Sequence, residues 1–391
     1  MSAGGPLAGI TIVEIGRFIT APYAAMLLGD LGATVVKVEP VTGGDPFRQA
    51  GEPGISARFL AYNRNKQSIG LDLAADDGRV VLCRLLGDAD VLIENFRPGV
   101  MAGFGLDYDR VAGEHPGLVY CSITGAGPDG PAASLPMYDA IGQGLSGLMA
   151  QLSEIEYPQP VGPALSDSIT GMTAALAIQA ALVERSRTGR GQYVQTSMIE
   201  ATVSFLAEPA AHYFRTGEEQ DWLTRPRQSQ SFGFRAGDGR PFVIHLSSPL
   251  KFWHRLLAVV ERPELDGDPR FSTYARRVKN YRELREELST SFAGAGRDHW
   301  LKRFAEEDVP AAPVLTTSET FEHDQVRHLG LEVTLDGPDG LRVAGRGARL
   351  TSTPGRLRQP PAFGADTDAV LGRLGYSAAE VAGLRAAAVV G

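Results

Sequence analysis

Ile10-Thr11-Ile12-Val13-Glu14-Ile15 and Thr34-Val35-Val36-Lys37-Val38-Glu39 are two short runs rich in β-branched residues, each the length of one strand. Between them, Thr20 precedes an apolar stretch that carries Pro22 in its first turn and meets Gly32 at its end. Thr is a favoured cap, Pro suits the first turn and Gly the exit, so the spacing predicts a helix from about Ala21 to Leu31. Strand, helix, strand in that order makes the two strands parallel, joined by a right-handed crossover. The pattern then recurs. Ser68 to Leu73 reads as a strand, Gly78 to Leu86 as a helix, and Val91 to Glu94 and Leu118 to Thr124 as two further strands. The fold class is therefore α/β, a parallel sheet with helices on its faces.

Beyond Asp139 the character changes. Ser166 to Arg187 is a long Ala-rich helix, closed by Thr188-Gly189-Arg190-Gly191 and followed by a strand from Tyr193 to Ser197. The polar span Asp221 to Phe234 reads as a linker or loop. Phe242 to Leu246 reads as a strand, with helices at Leu250 to Val260, Tyr281 to Phe292 and His299 to Glu306. Leu331 to Leu350 has the form of a β-hairpin about Pro338-Asp339-Gly340. Ser377 and Glu380 form a capping box for a last helix. These readings divide the chain into a large domain, residues 1–224 and 326–391, and a small mixed domain, residues 225–325.

At 391 residues two domains are the default expectation. A net charge of −8 argues against a general nucleic-acid binder, which needs a basic surface. Two cysteines, Cys83 and Cys121, make neither a disulfide framework nor a cysteine zinc site. The longest apolar stretch, Met172 to Val183, is too short to span a bilayer, and Met1 to Leu7 has no export pattern. A soluble cytoplasmic protein is the expected class.

Several chemistries are absent from the motifs. Gly16-Arg17-Phe18-Ile19-Thr20-Ala21 lacks the dinucleotide fingerprint, and no phosphate-binding Gly-Lys loop occurs. The histidines lack metal-ligand spacing, and Gly144-Leu145-Ser146-Gly147 is not a nucleophile elbow. What remains is Asp167, in Ala164-Leu165-Ser166-Asp167-Ser168, where the long helix starts. The plain reading is a helix cap. The chemical reading is a nucleophilic carboxylate kept ionised by the helix N-terminus and nearby amides. Both can hold together. Lys37, Arg64, Lys66 and Arg97 lie near the ends of N-terminal segments, where α/β folds place their ligand crevice; singly, each reads as solvated charge, and as a group they favour a polyanionic ligand.

The sequence also resembles the family III CoA-transferases, the CaiB/BaiF group. The resemblance is carried by Gly29-Asp30-Leu31-Gly32-Ala33-Thr34 through Glu39-Pro40 with Gly44-Asp45, by Asn63-Arg64-Asn65-Lys66-Gln67-Ser68 and by Glu94-Asn95-Phe96-Arg97-Pro98-Gly99. Thr188-Gly189-Arg190-Gly191-Gln192, Asp268-Pro269-Arg270-Phe271 and Val309-Pro310-Ala311-Ala312-Pro313 follow in family order. It implies a Rossmann-like large domain built from both ends of the chain, a smaller inserted α+β domain, and a homodimer interlocked like two chain links. It implies a reaction in which coenzyme A passes from an acyl-CoA donor to a carboxylic acid without metal, ATP or NAD. Asp167 falls on the position of the nucleophile. Ile19, Thr20, Lys37, Leu71, Asp72, Ala74, Asn95, Phe96, Arg97, Met137, Tyr138 and Asp139 fall on positions implied to contact CoA.

The same resemblance reaches the α-methylacyl-CoA racemases, which carry a histidine where this chain has Tyr138. Where racemases carry a glutamate, this chain reads Ser247-Ser248-Pro249-Leu250-Lys251. A phenol titrates near pH 10 and makes a poor base at neutral pH, so the racemase alternative, like a non-catalytic acyl-CoA binder, ranks second. Ile19-Thr20 replaces the Gln-Ala pair of formyl-CoA transferase, which argues against formate and oxalate and for a larger or less polar acid. Gly103 stands where many relatives have a CoA-contacting arginine, which shifts that burden to Arg97 and Lys37.

Overall fold

The computed structural model describes residues 4–49, 55–247 and 249–391. Six strands form one sheet: β1 (Thr11–Glu14), β2 (Thr34–Glu39), β3 (Lys66–Gly70), β4 (Val91–Glu94), β5 (Val119–Thr124) and β6 (Tyr193–Ser197). Their order is β3-β2-β1-β4-β5-β6 and every neighbouring pair is parallel. Parallel strands need crossovers and are covered on both faces, and this sheet obeys that rule. Val13, Val36, Ile69 and Leu92 point into a core with Val81, Leu82 and Leu85 of the Asp76–Gly87 helix and Val370 of the Thr367–Arg373 helix. The alternate residues Ile12, Val35, Val91 and Ile93 point the other way. There they meet Ala21, Ala24 and Leu28 of the Thr20–Asp30 helix and Ala174, Ala175 and Ile178 of the Leu165–Thr188 helix.

Small residues let those last two helices approach closely. A Cβ on Gly171 would lie 2.9 Å from the Thr20 carbonyl oxygen and 3.0 Å from the Tyr23 ring. Glycine at 171 thus brings the start of the long helix against the turn that leaves β1.

The chain forms two compact units, residues 1–149, 160–207 and 330–391 in one and 150–159 with 208–329 in the other. Ala150–Gln159 and Glu208–Thr224, assigned to the large domain by sequence, belong to the second unit. That unit holds an antiparallel sheet of β7 (Ser231–Arg235), β8 (Pro241–His245) and β9 (Ala311–Pro313), packed through Phe232, Phe242, Trp253, Phe271 and Phe292. The first unit also carries the antiparallel pair β10 (Glu332–Thr334) and β11 (Arg342–Ala344), the hairpin expected about Asp339.

The expected linker at Asp221–Phe234 is instead a helix, Thr224–Ser229, followed by β7. Its burial alternates, with Phe232 and Phe234 inside, and the core they gain overrides the local polarity. Thr20 is the first residue of its helix, not its cap; Ile19 precedes it without a side-chain cap. Ser377 and Glu380 do form a capping box. Among the described residues, no helix is long and apolar enough to cross a membrane.

Candidate active site

The strand order reverses between β1 and β4, and in open α/β sheets the crevice beyond the carboxyl ends at such a reversal receives ligands. Here the turn after β1 and the turn after β4 are tied together. The Arg17 amide donates to Asn95 Oδ1 at 2.9 Å, and Asn95 Nδ2 donates to the Arg17 carbonyl at 2.8 Å and to Thr20 Oγ1 at 2.9 Å. Phe18 sits in the left-handed region at φ 64°, a conformation a bulky residue adopts only when its surroundings hold it there. Its ring packs edge-on against Phe47 and Tyr138. Under β4, the buried Glu94 accepts the Phe96 amide at 2.8 Å, and burial raises its carboxyl to about 7 against the hydrogen bonds from Ser122 and Phe96.

Two clefts open here. The first, about 310 Å³, is lined by Ile19, Thr20, Asn95, Phe96, Arg97, Met137, Tyr138 and Asp167. The second, about 170 Å³, is lined by Leu71, Asp72 and Ala74 beside the Val38–Thr42 turn. Arg17 and Phe96 line both, with the Arg17 guanidinium 5.6 Å from the Phe96 ring centroid. Arg17 and Arg97 are exposed, and neither has an ion-pair partner among the described residues.

Of the thirteen positions assigned from sequence, Lys37 and Asp139 line neither cleft. Lys37 is fully buried. Its ammonium donates to Glu14 Oε1 and to the Gly16 carbonyl, both at 2.9 Å, and lies 3.0 Å from Asp45 Oδ2. Burial opposes that charge, but Glu14, Asp45 and Glu39 outweigh it and hold the ammonium above its usual range. Lys37 therefore braces the β1 turn from beneath and has no free donor face for a phosphate. Lys66 points inward too, donating to Glu14 Oε2, Asn63 Oδ1 and the Pro22 carbonyl, and Arg64 grips Asp30 at 2.6 Å. Gly103 lies outside both clefts, in a groove of about 930 Å³ with Arg79, Arg84 and Arg110. Of the segment from Ser247 to Lys251, Ser248 lies outside the described residues.

Asp167 is the third residue of the Leu165–Thr188 helix, and its side chain does not cap that helix. The cap comes from elsewhere. Asp139 Oδ1 accepts the Asp167 amide at 3.2 Å, while Asp139 Oδ2 accepts Gln143 Nε2 at 2.6 Å. This arrangement covers an orphan amide of the helix and sets a second carboxylate behind the first. Among the described residues no hydrogen bond or ion pair ends on the Asp167 carboxylate. Burial, then the charge of Asp139, pushes it up to about 7. The sequence reading had the helix N-terminus keep it ionised; desolvation and the like charge reverse that direction. The Tyr62 phenol is raised by burial and by the charges of Asp167, Tyr23 and Asp139, which puts it in the same neighbourhood. Arg17 and Tyr62 were missed from sequence. Arg17 lay in the first turn after the first strand, the position the switch-point rule singles out.

A carboxylate poised between its two protonation states, set in a crevice with two unpaired guanidinium groups, suits acyl transfer from an anionic carrier. The model of CoA-transferase family III matches residues 7–367. The succinate–glutarate CoA-transferase of Agrobacterium fabrum is 34% identical over 384 residues, covering 94% of this chain and 96% of that protein. The acetyl-CoA:oxalate CoA-transferase of Acetobacter aceti is 34% identical, over 81% of this chain and 82% of that one. A crystal structure of a CAIB/BAIF family protein from Brucella suis superposes with a TM-score of 0.85 at 32% identity, covering 95% of this chain and 100% of the other. The chain belongs to CoA-transferase family III, a family of enzymes that use CoA thioesters.

Proposed function

We propose that this protein transfers CoA between two carboxylic acids with Asp167 as the nucleophile. The carboxylate attacks the acyl carbon of the donor thioester, the C–S bond breaks, and an aspartyl–acyl anhydride forms as CoA thiolate leaves. The thiolate attacks the Asp167 carbonyl carbon, which releases the donor acid and leaves an aspartyl-CoA thioester. An acceptor carboxylate then runs the same two steps in reverse and departs as the new CoA ester. Each step conserves the activated acyl bond, so the exchange needs no ATP.

The observation that carries this reading is the bare Asp167 carboxylate in the crevice beside Arg17 and Arg97. Leu71, Asp72, Ala74 and Phe96, in the adjoining cleft, are proposed to hold the nucleotide part of CoA, and Ile19, Thr20, Asn95, Met137 and Tyr138 the thioester end. Relatives named for succinate, glutarate and malate favour a dicarboxylic pair, and an unpaired guanidinium suits a second carboxylate. The active form is proposed to be a homodimer. Met172, Leu176 and Val183 form an apolar stripe on the Leu165–Thr188 helix, 48%, 69% and 59% exposed, which a second copy would cover.

The test is isotope exchange between succinyl-CoA and a panel of labelled acids without ATP, glutarate and malate first and monocarboxylates as controls. Asp167→Asn should fold, bind CoA and lose exchange by at least about a thousandfold. Hydroxylamine trapping after addition of donor should mark the peptide that contains Asp167. Near-normal exchange by folded Asp167→Asn, or a mark on another carboxylate, refutes the mechanism. A monomer in light scattering that still turns over refutes the dimer.

A further inference from the structure

In the unit made of residues 150–159 and 208–329, four side chains form one hydrogen-bonded line that the transfer reaction does not use. Ser229 Oγ donates to the Arg225 carbonyl oxygen at 2.8 Å. A carbonyl only accepts, so this bond takes the single hydroxyl proton of Ser229. Ser229 Oγ is also 2.7 Å from Ser231 Oγ, and must accept there. Ser231, its own proton committed, must in turn accept from His245 Nδ1 at 2.6 Å. Nδ1 therefore carries the hydrogen of the neutral imidazole, and Nε2 keeps its lone pair. That lone pair faces Ser247 Oγ, its hydrogen-bond partner. Proton counting alone fixes the tautomer, with the Arg225 carbonyl as the anchor.

The backbone keeps the line in place. Ser231 and His245 are direct partners in the antiparallel β7–β8 register, and the Tyr281 hydroxyl donates to the Ser231 carbonyl. Ser247 stands between the end of β8 and the Pro249–Val260 helix. His245 and Ser247 are both exposed, so a dissolved acyl donor can reach them.

We propose that Ser247, with His245 as its general base, is a second nucleophilic centre that takes an acyl group from an activated ester or thioester. Ser247 Oγ bonds to the acyl carbon, and the bond from that carbon to the leaving sulfur or oxygen breaks. The hydroxyl proton passes to His245 Nε2 and on to the leaving group. Water then releases the acid along the same path, so the sum is hydrolysis, with no redox partner. Asp167 takes no part, so this centre stands or falls separately from the transfer mechanism.

The experiment uses the full chain with p-nitrophenyl acetate, following nitrophenolate release and mapping acetyl groups by mass spectrometry after digestion. One acetyl group is expected on the peptide that contains Ser247, at a rate about a hundredfold above that of His245→Gln. Ser247→Ala should lose the label, Ser231→Ala should slow it by freeing the imidazole to turn, and Ser247→Cys should keep it. Asp167→Asn should lose CoA exchange and still take the label at Ser247. Acetyl groups confined to other residues overturn the proposal. So does labelling of Ser247 at the wild-type rate in a folded His245→Gln variant.

Discussion

Two sets of charge lie in the α/β unit, one buried and one half-buried, and they are handled in opposite ways. Beneath the turn after β1, Glu14 is shared between Lys37 and Lys66, with Asp45 on the far side of Lys37. Nearby, Arg48 grips Glu39, which also accepts from Ser68. There every charge meets its opposite. Along the first cleft, Asp167 has only another carboxylate behind it, and Asp139 spends its own oxygens on an amide and on Gln143. Opposite charges lock a backbone turn in place; like charges leave a carboxylate ready to change protonation state. Rigidity and reactivity come from the same residue types, sorted by who faces whom.

The largest expected effect breaks the paired set. Lys37→Met leaves Asp45 buried without its counter-charge, takes one of the two ammonium groups from Glu14 and frees the Gly16 carbonyl, and should cost about 3–5 kcal/mol in urea unfolding. A loss below about 1 kcal/mol would show that the set is not coupled to the fold.

A smaller effect of opposite sign is expected at the cleft. Burial raises the Asp167 pKa to about 7 in the folded chain, above the roughly 3.9 of an unfolded aspartate. The folded state therefore holds its proton longer, and this contribution to stability is full below about pH 4 and lost as pH rises through about 7. Asp167→Asn should then be more stable than wild type at pH 8, on the order of 1–3 kcal/mol, and no more stable at pH 4. Within the paired set, Glu39 titrates the other way. Glu39, held below its usual range against burial by Arg48 and Lys37, contributes stability above the ordinary glutamate value that is lost as acid reaches its folded pKa. Unfolding curves from pH 8 to well below pH 4 separate the two.

The finest test reads the like-charge pair itself. Asp139→Asn keeps an oxygen for the Asp167 amide and removes the neighbouring charge. The pH midpoint for attack on donor acyl-CoA should move below 7, with more activity at pH 6 than in wild type. An unmoved midpoint would assign the whole shift to burial.

Much of this was legible in the sequence. β2, β4 and β6 fall on the runs read as strands, because short runs between turn residues have few alternatives in an α/β chain. The resemblance singled out Asp167, but the state of its carboxyl was not legible, since burial and then a carboxylate 28 positions away in sequence set it. Lys37 misled for a reason that parallel pairing could have exposed: β1 and β2 align Glu14 with Lys37, so the cation faces an acid inside the sheet. β7 was hidden by the polar residues around it, although Phe232 and Phe234 alternate as strand residues do.

The far edge of the sheet has a consequence for synthesis. Beyond β3, the Asp72 amide donates to the Val389 carbonyl at 2.9 Å, and Leu71 bridges antiparallel to Val390. Residues near 390 thus seal backbone that leaves the ribosome more than 300 residues earlier. At roughly 5–20 residues per second, that edge waits tens of seconds for its partner. Through that interval the nascent chain exposes an open strand margin, the kind of surface on which neighbouring chains add strands of their own. For as long as the chain is being made, its vulnerable seam is one wall of the second cleft.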